Sequence, residues 1–209
     1  MIKVIIFDVD GVLDENYDMH FEFSQKKTLN LTREEHRKLF EGNIHIERAK
    51  LAHRDTGFDM INHMNSSRIG KKIKESTKKV LEQLAKTYIV GVISSGLESG
   101  INDYLTSNDC LKYVTFVYGY ETHTLKDEKF KIALNKYNFE KSECVYITDT
   151  LGDIKEATKI GIRCIGYTKG YHERERLAKG EPIAIIDDLD EIDKIVTKLN
   201  LNKPALFEK

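Results

Sequence analysis

Apolar positions along this chain cluster into short runs that alternate with amphipathic stretches. The runs are rich in Val, Ile and Tyr and have the length of buried strands; they span residues 2–7, 88–94, 114–118, 144–148, 163–167 and 183–186. Between them, apolar positions recur at helical spacing: Ile73, Val80, Leu81 and Leu84 before the second run, and Phe130, Ala133, Leu134 and Tyr137 before the fourth. This alternation predicts an α/β fold in which helices cover both faces of a parallel sheet.

The alternation breaks between the first and second strands, where a long segment shows no strand pattern but can hold three helices. Thr32 and Glu35 form a capping-box pattern at the start of one helix, which should end near Gly42. Another helix is predicted over residues 44–55, with Gly57 as its left-handed stop. An insertion of this length is more than a loop, so we interpret it as an all-helical cap domain. The predicted organisation is a core of residues 1–14 and 71–200, a cap of residues 15–70 with hinges near residues 14–16 and 66–70, and a flexible tail of residues 201–209.

Composition narrows the possible functions and locations of the protein. The 33 basic and 34 acidic residues leave a net charge of −1, which does not suit a general nucleic-acid binder, and no block of like charge suggests a membrane-surface patch. The N-terminal apolar run is too short for a signal peptide, and the longest other apolar stretch cannot cross a bilayer. The three cysteines lack metal-ligand spacing, and Cys144 and Cys164 lie in apolar runs typical of a core. We therefore expect a soluble cytoplasmic protein.

Polar side chains follow four of the predicted strands, and the carboxyl ends of parallel strands meet at one edge of a sheet. Each has an ordinary structural interpretation as well: Asp-Gly favours a turn, serine caps a helix, lysine is usually solvated, and Thr150 with Asp153 could form a cap. Their ordered combination nevertheless predicts one site. Its members are Asp8 and Asp10 after the first strand, Ser94, Ser95 and Gly96 after the second, Lys126 before the helix that follows the third, and Asp149 and Asp153 after the fourth.

These residue types together suit phosphoryl transfer. Mg²⁺ held by Asp8 and Asp149 would reverse the local negative charge and bridge carboxylate to phosphoryl oxygen. Asp8 could then attack phosphorus and form an aspartyl-phosphate, while Asp10 protonates the leaving oxygen and later activates water. Ser94 and Lys126 would hold the phosphoryl oxygens, and the free amides that open the next helix would add further donors.

The same residues resemble the four ordered motifs of the haloacid dehalogenase superfamily. The match comprises Asp8-Val9-Asp10-Gly11-Val12-Leu13, Ser94, Lys126 and the pair Asp149 and Asp153, in order along the whole chain. The resemblance implies a Rossmann-like core, a phosphoaspartyl intermediate and Mg²⁺, with the backbone carbonyl of Asp10 as a metal ligand and Asp153 supporting or ligating the metal. The insertion resembles the helical cap of the phosphatase branch (phosphoglycolate phosphatase-like), which closes over small substrates and excludes water.

The chain departs from the family pattern at two motifs. Many relatives read Lys-Pro-x-Pro at the third motif, whereas here Lys126 is followed by Asp-Glu-Lys129, so Lys129 is an alternative to Lys126 as the phosphate-binding lysine. The fourth motif opens with Thr148-Asp149 instead of Gly-Asp, which leaves the carboxylate spacing intact. Asp10 in turn favours phosphate esters, because members that cleave carbon–halogen or carbon–phosphorus bonds generally lack this acid.

Polar residues of the predicted cap should choose the substrate. The candidates are His20, His45, Arg48 and Arg54, all of which could equally belong to a solvated face. Because His45 and Arg48 lie three residues apart, they share one helix face, and we take them as substrate-binding residues.

The preferred function is a phosphatase that hydrolyses the phosphomonoester of a small metabolite. A phosphomutase of similar architecture is the alternative, and the sequence hardly separates the two. A phosphorylatable signalling module like the receiver domains also combines a doubly wound sheet, acidic residues, a hydroxyl and a lysine, but the Asp8–Asp10 pair and the insertion disfavour it. The expected partner is a small phosphorylated metabolite, not nucleic acid or a membrane, and the sequence leaves the oligomeric state open.

Overall fold

In the computed structural model, which describes residues 1–201, a six-stranded parallel sheet forms the centre of the protein. Its strands are β1 (Val4–Phe7), β2 (Ile89–Ile93), β3 (Phe116–Tyr118), β4 (Cys144–Thr148), β5 (Arg163–Tyr167) and β6 (Ala184–Ile186). All six predicted strands are confirmed, some of them shortened at one or both ends. The strand order is β3-β2-β1-β4-β5-β6, so β1 lies inside the sheet and the order reverses between β1 and β4. Ligands of open parallel sheets bind at such a reversal.

Residues 15–70 contain four helices, one more than predicted: α1 (Tyr17–Lys27), α2 (Arg33–Lys38), α3 (Ile44–Ala49) and α4 (Met60–Ser67). The capping box of α2 is confirmed, since the Thr32 hydroxyl accepts from Glu35 N at 3.2 Å and Glu35 Oε2 accepts from Thr32 N at 2.8 Å. A 3₁₀ turn carries this segment on to Glu41, close to the predicted end at Gly42.

The prediction of one helix over residues 44–55 is wrong in length, because α3 ends at Ala49. The following residues form a separate 3₁₀ turn and pair with the end of α1, where Leu29 N donates to Arg54 O at 2.9 Å and Thr56 N to Lys27 O at 3.0 Å. These tertiary hydrogen bonds replace the last turns of the expected helix. The division of the chain into a core and a separate cap domain stays a prediction.

Six helices flank the sheet: α5 (Glu75–Leu84), α6 (Glu98–Ser107), α7 (Lys126–Tyr137), α8 (Leu151–Lys159), α9 (Arg174–Ala178) and α10 (Glu191–Leu201). Side chains of β1 alternate between the faces, and Ile5 and Phe7 belong to the core cluster that includes α5, α6 and α10. Val4 and Ile6 belong to the opposite cluster, which includes α7, α8 and α9. Helices on both faces of a parallel sheet are therefore confirmed. Ile73 is buried as expected, but it precedes α5.

No helix among residues 1–201 is both long and apolar enough to cross a lipid bilayer. Cys144 and Cys164 are buried free thiols, as predicted. The predicted flexible tail, residues 201–209, lies outside the described residues except for Leu201, with which α10 ends.

Candidate active site

The turn after β1 brings Asp8 and Asp10 to the carboxyl edge of the sheet. Val9 O accepts from three successive amides, ending with Asp14 N at 2.9 Å, and Gly11 N donates to Asp14 O at 2.8 Å. Gly11 has a φ of +82°, and a Cβ at this position would lie only 1.9 Å from Asp149 Oδ2. Glycine is therefore required here both for the backbone conformation and for the close approach of the fourth motif.

Lys126 joins the first motif to the fourth. This first residue of α7 is 2% exposed, and its Nζ lies 2.8 Å from Asp8 Oδ2 and 2.6 Å from Asp153 Oδ2. The same ammonium donates to the Tyr146 hydroxyl at 2.8 Å, a contact that the sequence did not indicate because Tyr146 was counted only as a strand residue. Burial alone would lower the pKa of Lys126, but the carboxylates of Asp153 and Asp8 outweigh burial and raise its pKa above the usual range.

Lys129, the alternative lysine, occupies a different place. Its Nζ donates to the backbone carbonyl of Ser94. Burial, reinforced by the positive charge of Lys126, lowers the pKa of Lys129 to about 8. The geometry thus brings Lys126, not Lys129, to Asp8.

The two acids of the fourth motif have unlike surroundings. Burial raises the pKa of Asp149 to about 8, although Tyr171 N donates to Asp149 Oδ2 at 2.7 Å. Burial also opposes ionisation of Asp153, but Lys126 and the Thr148 hydroxyl, at 2.8 Å, overcome it and hold the pKa of Asp153 below its usual value. Thr150 caps α8, as the sequence allowed, by accepting from Asp153 N at 3.4 Å.

The predicted metal site contains oxygen donors of the kind that Mg²⁺ binds. Among residues 1–201, no three Asp, Glu, His or Cys side chains converge to form a complete cage. Asp149 Oδ1 is nevertheless buried without a hydrogen-bond partner. The backbone hydrogen bonds of the turn after β1 are accepted by Val9 O and Asp14 O, and none of them by the Asp10 carbonyl. Oxygen donors of this kind fit Mg²⁺, which commonly takes one or two carboxylates and completes its shell with water and substrate phosphate.

Asp10 is held by residues that the sequence did not single out. Arg68, in the predicted second hinge, places Nη2 2.5 Å from Asp10 Oδ1, and Asn16 donates to the same oxygen. Arg68 is buried and also approaches Asp14, with Nε 3.7 Å from Asp14 Oδ2. Its partner is 58 positions away in the chain, so no local pattern could reveal the contact.

A cavity of about 500 Å³ opens between this edge of the sheet and the inserted helices. The predicted site residues that line it are Asp8, Asp10, Ser95, Gly96, Lys126, Asp153, His45 and Arg48. Asp149 is fully buried and lies outside this lining. His20 lines the cavity too, whereas Arg54 pairs instead with Glu35 at 2.8 Å.

The alternative interpretation of Ser94 as a helix cap is wrong, whereas its predicted role in binding phosphate stays a prediction. The helix α6 begins only at Glu98, and the fully buried Ser94 hydroxyl accepts from Gly96 N at 3.1 Å. A serine that bonds the amide two residues ahead forms a turn of its own, which separates the end of β2 from the helix. The cavity wall after β2 therefore consists of Ser95 and Gly96, with Ser94 behind them.

Known proteins resemble this chain in sequence and in fold. A phosphoglycolate phosphatase from Photorhabdus laumondii is 26% identical to this chain in an alignment that covers 91% of each protein. A haloacid dehalogenase-like family hydrolase from Streptococcus pneumoniae has a similar fold, with a TM-score of 0.75 and 19% identity over 93% of this chain and 98% of its own. A candidate beta-phosphoglucomutase from Thermotoga maritima gives a TM-score of 0.67 and 17% identity over 95% of this chain and 100% of its own.

The family model described as haloacid dehalogenase-like hydrolase matches residues 5–167, a span that runs from β1 through β5 and includes all four motifs. This chain therefore belongs to the haloacid dehalogenase-like hydrolase family.

Proposed function

We propose that this protein is a Mg²⁺-dependent phosphatase that hydrolyses a small phosphomonoester through an aspartyl-phosphate on Asp8. The observation that carries the proposal is that Asp8 and Asp10 line one cavity while Lys126 contacts Asp8 directly. A nucleophile, a second acid and a cation at one wall are what stepwise phosphoryl transfer requires. The name of the relative from Photorhabdus laumondii supports the same class of reaction.

In the first step, a carboxylate oxygen of Asp8 attacks phosphorus, the ester P–O bond breaks, and Asp10 gives its proton to the leaving oxygen. Asp8 is oriented for this role because Oδ1 accepts from Val9 N at 2.8 Å and Oδ2 accepts from Lys126. Burial raises the pKa of Asp8 well above its usual range, and the Lys126 ammonium opposes that shift. Lys126 thus favours the ionised, nucleophilic form.

In the second step, Asp10 takes a proton from water, which attacks phosphorus and releases inorganic phosphate and the free Asp8 carboxylate. Asp8, Asp149 and the Asp10 carbonyl would hold Mg²⁺, and the bound ion would reduce the repulsion between the negative carboxylates and the negative phosphoryl group. Arg68 and Asn16 orient the Asp10 carboxylate through hydrogen bonds to Oδ1.

The test is release of phosphate from p-nitrophenyl phosphate with Mg²⁺, with excess EDTA, and in the variant Asp8→Asn. We expect turnover that requires Mg²⁺ and falls by about six orders of magnitude in Asp8→Asn, in line with the loss of another covalent nucleophile. Asp18→Asn changes an exposed acid and serves as the matched control. Unchanged turnover in EDTA or in Asp8→Asn would refute the mechanism.

A phosphomutase is the second candidate, because the fold neighbour from Thermotoga maritima carries that name. The two reactions share the aspartyl-phosphate and differ in whether water or a second hydroxyl accepts the phosphoryl group. A panel of sugar phosphates separates them: a phosphatase releases inorganic phosphate from every substrate that reacts, whereas a mutase yields isomeric sugar phosphates.

A further inference from the structure

One cation that lines the cavity forms no ion pair with any of residues 1–201. Arg48, on α3, donates through Nη2 to the Ser24 hydroxyl at 3.2 Å, while Nη1 is buried without any hydrogen-bond partner. Among residues 1–201, Arg48 makes no ion pair, whereas the other basic side chains of the cavity each do. Those pairs are Lys27 with Asp55, Arg68 with Asp10, and Lys126 with Asp8. A buried guanidinium normally has a carboxylate or phosphate partner, because an unpaired buried charge is costly.

The acidic residues around the cap end of the cavity are already engaged. Asp55 lies 2.9 Å from Lys27 and also accepts from Gly57 N at 2.7 Å. Asp59 caps α4, accepting from Asn62 N at 3.3 Å. The charge of Asp55 acts on Arg48 from beyond ion-pair distance, and no carboxylate of residues 1–201 forms an ion pair with the Arg48 guanidinium.

A second unpaired nitrogen lies on the same helix. His45 also lines the cavity, and its Nε2 is buried without a partner. Burial, with help from Lys129 and Arg48, lowers the pKa of His45 to about 4, so the ring is neutral at physiological pH and can donate one N–H. Burial lowers the pKa of Arg48 to about 10, which leaves the guanidinium charged at the same pH.

The rest of this wall offers little to a polar ligand. It consists largely of the apolar residues Phe40, Ile44, Phe58, Met60, Ile61 and Met64. A few polar donors in an otherwise apolar wall are the usual arrangement by which a small-molecule site fixes a polar group of its ligand. A guanidinium suits a carboxylate or phosphoryl group better than a hydroxyl, because a hydroxyl would leave the positive charge without an opposite charge.

We infer that the natural substrate carries, besides its phosphate ester, a second anionic group, a carboxylate or another phosphoryl group, which Arg48 and His45 bind at the cap end of the cavity. This inference rests on the proposed phosphatase function, which assigns the ester phosphate to the Asp8 end. The cavity volume of about 500 Å³ suits a metabolite that spans both ends.

The test uses phosphonates, which bind like phosphate esters but cannot be hydrolysed. Three series of increasing length differ only in the terminal group: alkylphosphonates end in methyl, phosphonoacetate and its longer homologues in carboxylate, and alkane bisphosphonates in a second phosphonate. Their affinities are measured by calorimetry with Mg²⁺ present. We expect the best anion-ended compound to bind about 10- to 100-fold more tightly than its methyl-ended match, as a charged hydrogen bond would give. The tighter of the two anionic series identifies the second group.

The variants assign this preference to Arg48. In Arg48→Met the preference for an anionic end should fall to within about threefold, and Arg48→Lys should retain part of it because the charge remains but the fork is lost. The matched control is Arg33→Met, which removes an exposed cap arginine paired with Asp18; it should keep the full preference. Circular dichroism establishes that each variant is folded.

The inference is overturned if the wild type shows no preference for an anionic end at any length, or if Arg48→Met keeps the preference. Because calorimetry needs no turnover, these outcomes are independent of the phosphatase proposal. That proposal fails separately, if p-nitrophenyl phosphate is not hydrolysed in the presence of Mg²⁺.

Discussion

The two ends of the cavity differ in how their charges are balanced. At the sheet end, Lys126 lies between Asp8 and Asp153, and Arg68 binds Asp10. At the helical end, Arg48 forms no ion pair with any of residues 1–201, and the buried nitrogens Arg48 Nη1 and His45 Nε2 have no hydrogen-bond partner. Parallel strands hold their carboxyl ends at fixed positions, so charges there can compensate one another permanently. The contrast indicates that the sheet supplies a preorganised chemical centre and the inserted helices supply donors that await a ligand.

The largest effect should come from removing Lys126, the cation that lies between two carboxylates at the sheet end. In Lys126→Met the Asp8 and Asp153 carboxylates would face each other in a buried site, so we expect kcat/KM for p-nitrophenyl phosphate to fall by about a thousandfold. Lys129→Met is the matched control, because Lys129 is equally buried but its Nζ donates to the Ser94 carbonyl instead of to Asp8; we expect kcat/KM to fall by about tenfold or less in this variant. Equal losses in the two variants would contradict the assignment of Lys126.

A smaller effect should follow from releasing Asp10. Arg68→Met removes the guanidinium that orients the carboxylate, so kcat for the same substrate should fall about tenfold while KM changes little. Arg68→Lys should recover part of this loss if Arg68 acts by positioning Asp10. Lys71→Met changes a neighbouring cation that pairs with Asp14 and not with Asp10, so a similar fall in that variant would point to a general effect on the turn.

The buried histidines of the inserted helices should make the stability of the protein sensitive to acid. His20 Nδ1 lies 2.9 Å from His36 Nε2; burial lowers the pKa of His20 well below its usual range and that of His36 to about 2. Below about pH 6.5 these histidines are protonated in the unfolded chain but stay neutral in the folded protein. Their contribution to the free energy of unfolding is therefore complete above that pH and declines below it. The decline is at most about 1.4 kcal/mol per pH unit for each histidine.

Denaturant unfolding at neutral and mildly acidic pH measures this decline. The variant His36→Phe, whose ring suits the surrounding Tyr17, Phe21 and Phe40, should lose less stability on acidification than the wild type. His63→Phe removes an exposed histidine and should behave like the wild type. An identical acid response in all three proteins would show that the buried pair is not its source.

The smallest effect concerns the stability of the inserted helices. Thr32→Ala removes the hydroxyl that caps α2, and we expect the free energy of unfolding to fall by about 1 kcal/mol. Thr32→Ser keeps the hydroxyl and should retain most of that stability. Since Thr32 does not line the cavity, kcat for p-nitrophenyl phosphate should stay at the wild-type value in both variants. A lower kcat in Thr32→Ala would indicate that the stability of these helices is coupled to the chemical centre.

Much of the fold was predictable because its signals are local. The strand β1 is a run of four apolar residues, all of them buried, and the α2 cap is encoded by Thr32 and Glu35 within one helical turn. The prediction for residues 44–55 was wrong because α3 ends where the chain pairs with the end of α1, a contact between segments far apart in sequence. A local pattern carries no information about such a partner.

The candidate site also has features that the sequence predicted and features that depend on tertiary contacts. The amino-acid sequence by itself determined the order of the motifs, the strand ends on which Asp8, Asp10 and Asp149 stand, and membership of a family of hydrolases. Only the tertiary structure decided that Lys126 and not Lys129 reaches Asp8, that Arg68 binds Asp10, and that Arg48 lacks a counter-charge. The physical reason is that periodicity and capping act over a few residues, whereas the balance of a buried charge depends on which distant side chains the folded chain brings within hydrogen-bond distance.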